Sequence, residues 1–237
     1  MAEAGTSEMI TNTFPSRKAL DAQLAADVAA ALENAVATRG HALLAVSGGS
    51  TPIGFFHLLS QQDIPWSKVT ITLVDERWVE PDHTDSNEKR VRECLLINAA
   101  AQADFIPLKN NAESVVAGQA QLEQVLSRLG TLDVLVLGMG ADGHTASLFP
   151  QAESLAEALD QDSGKSCIAI DPVTTSHQRM TMTLPRLLDA RQIYIHITGD
   201  EKKAVLEKAR RATDPALLPI SAIIRQQRVP VTLYWAK

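Results

Sequence analysis

Within Leu135–Pro150, LVLGMGADGHTASLFP, a carboxylate and an imidazole stand two positions apart, Asp142 and His144, with the hydroxyls of Thr145 and Ser147 close behind. Histidine is the side chain whose unperturbed pKa suits proton transfer near neutrality, and a nearby carboxylate orients the ring and stabilises its charged form. This spacing fits a general base held at a strand tip; a histidine that merely caps a turn is the alternative. The six residues Gly138-Met139-Gly140-Ala141-Asp142-Gly143 also fit the dinucleotide pattern G-x-G-x-x-G letter for letter. That pattern requires a helix opening at its second or third glycine, usually in the first βα unit of its domain. Here the run from His144 to Phe149 stops at Pro150, too short for the helix, and at least two strand–helix units come earlier. Glu157 and Asp160 lie near the distance of a ribose-binding acid, but neither obviously ends a strand. The glycines are read as a sharp turn, and no NAD is expected.

Two further segments carry polar chemistry. In SGGSTP, Ser47 to Pro52, Gly48 and Gly49 let the backbone come close to a ligand, Ser50 and Thr51 add hydroxyls, and a following helix would aim its N–H groups at an anion. This suits a phosphate, although a plain strand-to-helix turn uses the same residues. No G-x-x-x-x-G-K-[ST] loop is present, so no nucleoside triphosphate is implied. In DERWVEPDHTDSN, Asp75 to Asn87, Arg77 offers a forked donor for a carboxylate, a phosphate or an oxyanion. Asp75 and Glu76 either act in catalysis or fix that arginine, and His83 reads as a surface residue. Arg179 and Lys202 are two later cations able to close on an anionic group from the opposite side, whereas Lys203, Lys208, Arg210 and Arg211 read as the solvated face of a helix. His41, His57 and His196 read as packing or surface residues, and His177 stays undecided.

These segments need elements to position them. Ser16 as N-cap and Gly40 as stop bound a long first helix, then HALLAVSGG reads as a buried strand, Ala42 to Val46, and TPIGFFHLLS as a helix with Pro52 in its first turn. Val69 to Val74 is the next strand, followed by a polar loop and the helix SNEKRVRECLL. The helix AESVVAGQAQLEQVLSRL precedes the strand LDVLVLG. SCIAI, RQIYIHIT and VPVTLYW complete the strands, with helical TLPRLLDA and GDEKKAVLEKARRA between them. Alternating strands and helices predict an α/β fold with a mostly parallel sheet and helices on both faces, in which ligands sit at the carboxyl ends of the strands. Residues 1–237 read as a single domain, with 1–15 as a flexible or extended segment and Gln151 to Lys165 as a polar surface insertion.

The chain has 237 residues, of which 45% are hydrophobic, enough for a substantial core. A formal charge of −6 without basic runs disfavours a nucleic-acid partner. Cys94 and Cys167 have no metal-type spacing and read as ordinary buried thiols of a reducing compartment. The N-terminus has acids and no apolar signal region, and no stretch approaches the length of a membrane helix, so a cytoplasmic protein without membrane contact is expected.

Over nearly its whole length the sequence resembles the 6-phosphogluconolactonases. The resemblance rests on VSGGSTP, VDERWVEPDHTDSNEKRVRECLL, LGMGADGHTASLFP, RMTMTLPRLLDARQIYIHITGDEKKAVL and PISAIIR, in that order. It implies the glucosamine-6-phosphate isomerase/6-phosphogluconolactonase superfamily, a modified Rossmann-like fold of the NagB/RpiA-like type, and hydrolysis of a sugar-phosphate lactone without NAD or metal. Carried onto this sequence, the pattern makes His144 the general base with Asp142 beside it, and Arg77 a contact to substrate or oxyanion. Gly48, Gly49, Ser50, Thr51, Asp75, Arg179 and Lys202 would hold phosphate and sugar hydroxyls. The expected partner is a small sugar-phosphate lactone, and the expected assembly a monomer or small homo-oligomer. Two other readings compete. Glucosamine-6-phosphate deaminases share the glycine loop and D-G-H but continue toward GHIAFNEP, where this chain has TASLFP and no acid before Glu153. A non-catalytic phosphosugar-sensing domain should bring a helix-turn-helix, for which the residues before Ser16 leave no room.

Overall fold

Ala42–Val46 and Val134–Leu137 are apolar at every position and buried at every position, which a sheet strand achieves only when both faces are covered. They form the centre of a seven-stranded sheet in the computed structural model, which describes residues 9–237. In chain order the elements are β1 (Ile10–Phe14), α1 (Arg17–Arg39), β2 (Ala42–Val46), α2 (Ile53–Leu59), β3 (Val69–Leu73), β4 (Asp75–Arg77), α3 (Asn87–Cys94), β5 (Asp104–Ile106), α4 (Val115–Leu126) and β6 (Val134–Leu137). There follow α5 (Leu155–Leu159), β7 (Cys167–Ile170), β8 (Arg179–Met182), α6 (Leu184–Leu188), β9 (Ile193–Thr198), α7 (Asp200–Arg211), α8 (Ile220–Ile224) and β10 (Val231–Ala236).

The main sheet has the order β1-β10-β9-β6-β2-β3-β5, and all its pairings are parallel. The chain runs outward from β2 through β3 to β5, then returns to place β6 on the other side of β2. The crevice at the carboxyl ends of β2 and β6 is therefore the topological switch point, where open α/β sheets bind ligands. The α1 helix has the caps its sequence dictates: Ser16 Oγ accepts from Ala19 N at 3.2 Å, and Gly40, at φ +80°, donates to Val36 O. Its stripe Leu20, Leu24, Val28 and Leu32 recurs every four residues and is wholly buried. No helix among the described residues is long and apolar enough to cross a membrane.

Several elements depart from the sequence reading. In the segment 1–15, read as flexible or extended, residues 1–8 lie outside the described part and Ile10–Phe14 are extended, the new feature being their parallel pairing with β10 as an edge strand. The loop after β3 contains β4, which pairs antiparallel with β8, itself paired with β7, in a second, three-stranded sheet. β7 lies within the predicted strand SCIAI, whereas β4 and β8 are too short to show a period, and long-range pairing alone reveals them. The segment Gln151 to Lys165 holds α5, and its Ala152, Leu155 and Ala158 are buried, so it contributes to the core rather than only covering it. Pro52 occupies the N-cap position of α2 instead of its first turn.

Candidate active site

The walls of the crevice begin with the two strand ends. Gly138 N, just past β6, donates to Ser47 Oγ, just past β2, at 3.1 Å, tying the two glycine loops together at the switch point. Asn87, the first residue of α3, packs against Gly48, where a Cβ would lie 2.1 Å from Asn87 Oδ1; its Nδ2 donates to Asp75 O at 3.0 Å. Gly48 is thus glycine because a side chain fills its Cβ space. Gly49, at φ +92°, is glycine because the backbone is left-handed.

In the opposite loop His144 Nδ1 lies 2.5 Å from Asp142 Oδ1, and the same oxygen accepts from His144 N at 3.1 Å. A Cβ on Gly140 would come within 2.2 Å of the imidazole and 2.7 Å of Asp142 Oδ1, so the bare glycine lets the pair close over it. Gly143 turns the chain at φ +80°, and Thr145 Oγ1 donates to Gly138 O at 2.8 Å. No helix opens at either glycine; turns run through to α5, so the phosphate-binding helix of a dinucleotide fold is missing here. The imidazole stacks on Phe149, with centroids 4.2 Å apart. Burial pushes the Asp142 carboxyl up, but the hydrogen bonds and charge of His144 outweigh it and hold the carboxyl below its ordinary value. In the tautomer whose Nδ1–H donates to the Asp142 carboxylate, the Nε2 lone pair is the free base.

The third wall is β4 against β8. Arg77 and Arg179 are directly opposed across this antiparallel pair. Like charges so placed repel, a cost that an anion between them would remove. Burial lowers the Arg179 pKa, Asp75 raises it and Arg77 lowers it again; at neutral pH a guanidinium stays charged regardless. Arg179 Nη2 donates to Thr175 Oγ1 at 3.1 Å, and Arg77 Nη1 donates to Asp85 O. The Lys202 ammonium, in the first turn of α7, is shifted down by burial and by Arg17. Among the described residues Arg77, Arg179 and Lys202 make no salt bridge with an acid.

Neither acid of DERW pairs with the Arg77 guanidinium, although Glu76 Oε1 accepts from the Arg77 backbone N at 2.7 Å. Asp75 Oδ2 accepts from Ser147 Oγ at 2.5 Å, joining β4 to the histidine loop. Glu76, 1% exposed, spends its carboxylate on the start of α3, accepting from Asn87 N at 2.8 Å and Glu88 N at 2.7 Å. Burial raises its pKa, and those backbone donors pull it back only in part.

One cavity of about 250 Å³ collects these groups. Gly48, Gly49, Ser50, Thr51, Asp75, Arg77, His144, Arg179 and Lys202 all line it, and Asp142 stands behind His144. Two lining residues escaped the sequence reading, Asn87 and His196. His196, read as packing or surface, is 2% exposed and lies 3.3 Å from Asp21 of α1, with both ring nitrogens otherwise unpartnered. The available signal was a polar residue near the carboxyl end of the buried strand β9.

The family model described as glucosamine-6-phosphate isomerases/6-phosphogluconolactonase matches residues 15–235. A 6-phosphogluconolactonase of Rhizobium meliloti (strain 1021) is 46% identical over 224 residues, covering 94% of this chain and 97% of the relative. One from Mesorhizobium japonicum is 44% identical over 226 residues, 95% of this chain and 94% of the relative. The crystal structure of a 6-phosphogluconolactonase from Shewanella baltica OS155 superposes with a TM-score of 0.95 at 43% identity, over 98% of this chain and 99% of the other.

Proposed function

The chain belongs to the glucosamine-6-phosphate isomerase/6-phosphogluconolactonase family, and we propose that its opposed arginines and its His144–Asp142 pair serve lactone hydrolysis. It hydrolyses 6-phospho-D-glucono-1,5-lactone to 6-phospho-D-gluconate, a carboxylic ester hydrolase step of the oxidative pentose phosphate pathway. The observation that carries the mechanistic reading is the arrangement of three cations without acidic partners around the same cavity as a carboxylate-oriented imidazole.

In the proposed mechanism the phosphate is held by Lys202 and by the N–H and hydroxyl groups of Gly48 to Thr51, at one end of the cavity. The lactone carbonyl lies toward Arg77 and Arg179. Nε2 of His144 removes a proton from water as its oxygen attacks C1, and the imidazolium that forms is stabilised by Asp142. Arg77 stabilises the oxyanion of the tetrahedral intermediate. Collapse re-forms the carbonyl and breaks the bond from C1 to the ring oxygen, which takes the proton back from His144. One water is consumed, and the new carboxylic acid ionises. Neither a serine nucleophile nor a cofactor enters any step.

The same reading makes residues 1–237 one domain acting on a small phosphosugar lactone, in the cytoplasm, as a monomer or small homo-oligomer, with no nucleic-acid or membrane partner. The formal charge of −6 supports the exclusion of nucleic acid. The test is a coupled assay in which glucose-6-phosphate dehydrogenase generates the lactone and acid release is followed. A rate no faster than spontaneous opening would reject the enzymatic reading, and ammonia release from glucosamine 6-phosphate would redirect it to the deaminases.

A further inference from the structure

Outside the cavity, two histidines and an aspartate from different segments converge. Asp85 Oδ2 lies 2.9 Å from His177 Nε2 and 3.9 Å from His83 Nδ1, and the donor atoms of all three fall within 4.8 Å of one another. The two imidazoles meet edge to face with centroids 5.5 Å apart. None of the three lines the active-site cavity. We propose that His83, Asp85 and His177 form a binding site for a divalent first-row transition ion, zinc above all, which clamps the loop after β4 to the segment before β8.

The donor set selects the ion. Two imidazoles and a carboxylate suit zinc and its neighbours, whereas calcium and magnesium take oxygen ligands. A tetrahedral ion with bonds of about 2.0–2.1 Å needs donors about 3.3 Å apart. The separations of 2.9 Å and 3.9 Å bracket that spacing, so binding requires side-chain rotations that bring His83 Nδ1 closer to the carboxylate and move His177 Nε2 slightly away. His83 Nδ1 accepts from Asp85 N at 3.0 Å, a hydrogen bond that coordination through this nitrogen replaces. The His177 hydrogen bond, together with the charges of His177, His83 and Arg77, holds the Asp85 carboxyl below its ordinary value. His177 adopts φ +69°, a left-handed backbone that a non-glycine residue seldom takes, and its ring is thereby turned onto the β4–α3 loop. Side-chain exposures of 43% for His83, 50% for Asp85 and 29% for His177 leave an entry path and room for water as a fourth ligand.

The position gives the ion a purpose. The Asp85 carbonyl receives Arg77, and the His177 carbonyl receives Arg179 Nε at 3.3 Å. Both arginine-holding segments are thus tied by one ion, which stiffens the wall formed by β4 and β8 without touching substrate. This clamp is independent of the hydrolytic reading.

The test uses untagged, metal-stripped protein titrated with Zn²⁺ by calorimetry and with Co²⁺ by visible absorption, alongside thermal melts. One ion per chain is expected, with tetrahedral Co²⁺ bands, and at a hundredfold excess over Kd a rise in Tm of about 5 °C or more. His83→Ala and His177→Ala should each weaken Zn²⁺ binding at least tenfold and cut the Tm rise to about half or less at the same Zn²⁺ concentration, while Cys94→Ser should leave both unchanged. Absence of stoichiometric binding, unchanged affinity in either histidine variant, or a sulfur-to-cobalt charge-transfer band would overturn the proposal.

Discussion

Gly140 lies under the imidazole of His144, in the space its own side chain would need: a Cβ there would stand 2.2 Å from both Cε1 and Nδ1. Gly140→Ala is therefore expected to push the imidazole off Asp142 and lower kcat at least tenfold, with a small change in Tm, because Gly140 and His144 are only partly buried and Asp142 is exposed. Gly138, the first glycine of the same pattern, has only Ser47 Cβ near its Cβ position, at 3.9 Å. Gly138→Ala should keep kcat within a few-fold. Equal losses in the two variants would contradict this division of labour.

His144→Ala should lower kcat by roughly 10²–10⁴-fold, the range of a positioned acid–base group. If Asp142 acts only through the ring, the double variant with Asp142→Asn should be little slower than His144→Ala alone, since residues that work as a unit are not additive. Steady-state rates of the four proteins of the cycle decide it.

The cations should separate by kinetic parameter. Lys202→Met is expected to raise KM tenfold or more with kcat within a few-fold, because a phosphate contact is the same in ground and transition states. Arg77→Met should lower kcat about 10²-fold or more, the usual cost of losing an oxyanion donor. A pure KM effect at Arg77 would move that residue to the phosphate.

Gly48→Ala should destabilise the fold by about 1–3 kcal/mol through overpacking against Asn87, whose Oδ1 would lie 2.1 Å from the new methyl. Asn87→Ala opens that space. Urea unfolding of the double variant should show a favourable coupling between the two sites, where simple additivity would refute the contact.

Stability should depend on Asp142 only above acidic pH. Its carboxyl is held below the ordinary value in the folded chain, so the pair stabilises above the unfolded value of about 3.9 and loses that contribution as pH falls through the lower folded value. The gap in urea midpoint between the protein and Asp142→Asn should persist at pH 5 to 7 and close below about pH 4. A gap that widened on acidification would carry the opposite sign and exclude the ion pair.

Long, strongly patterned elements were legible residue by residue. The α1 caps, Ser16 and Gly40, and the unbroken apolar runs of β2 and β6 carry their own instructions, because capping and burial on both faces act over a few consecutive residues. Glycine-rich turns at strand ends likewise announced the site, and the missing helix after Gly143 was foreseeable from Pro150. The three-residue β4 and four-residue β8 were not legible, since strands so short have no measurable period and exist through each other.

Sequence alone determined which chemical groups this protein carries and that an α/β sheet would gather them at its strand ends. Tertiary structure decided how those groups divide. It set Arg77 opposite Arg179, gave Glu76 to the start of α3 and Asp75 to Ser147, and brought His196 to the cavity and His177 to His83 and Asp85. The reason is the range of the forces involved. Propensity, capping and amphipathic period are local and can be read along the chain, whereas pairings between residues 72 to 106 positions apart arise only when separate strands dock, and no local pattern encodes their register.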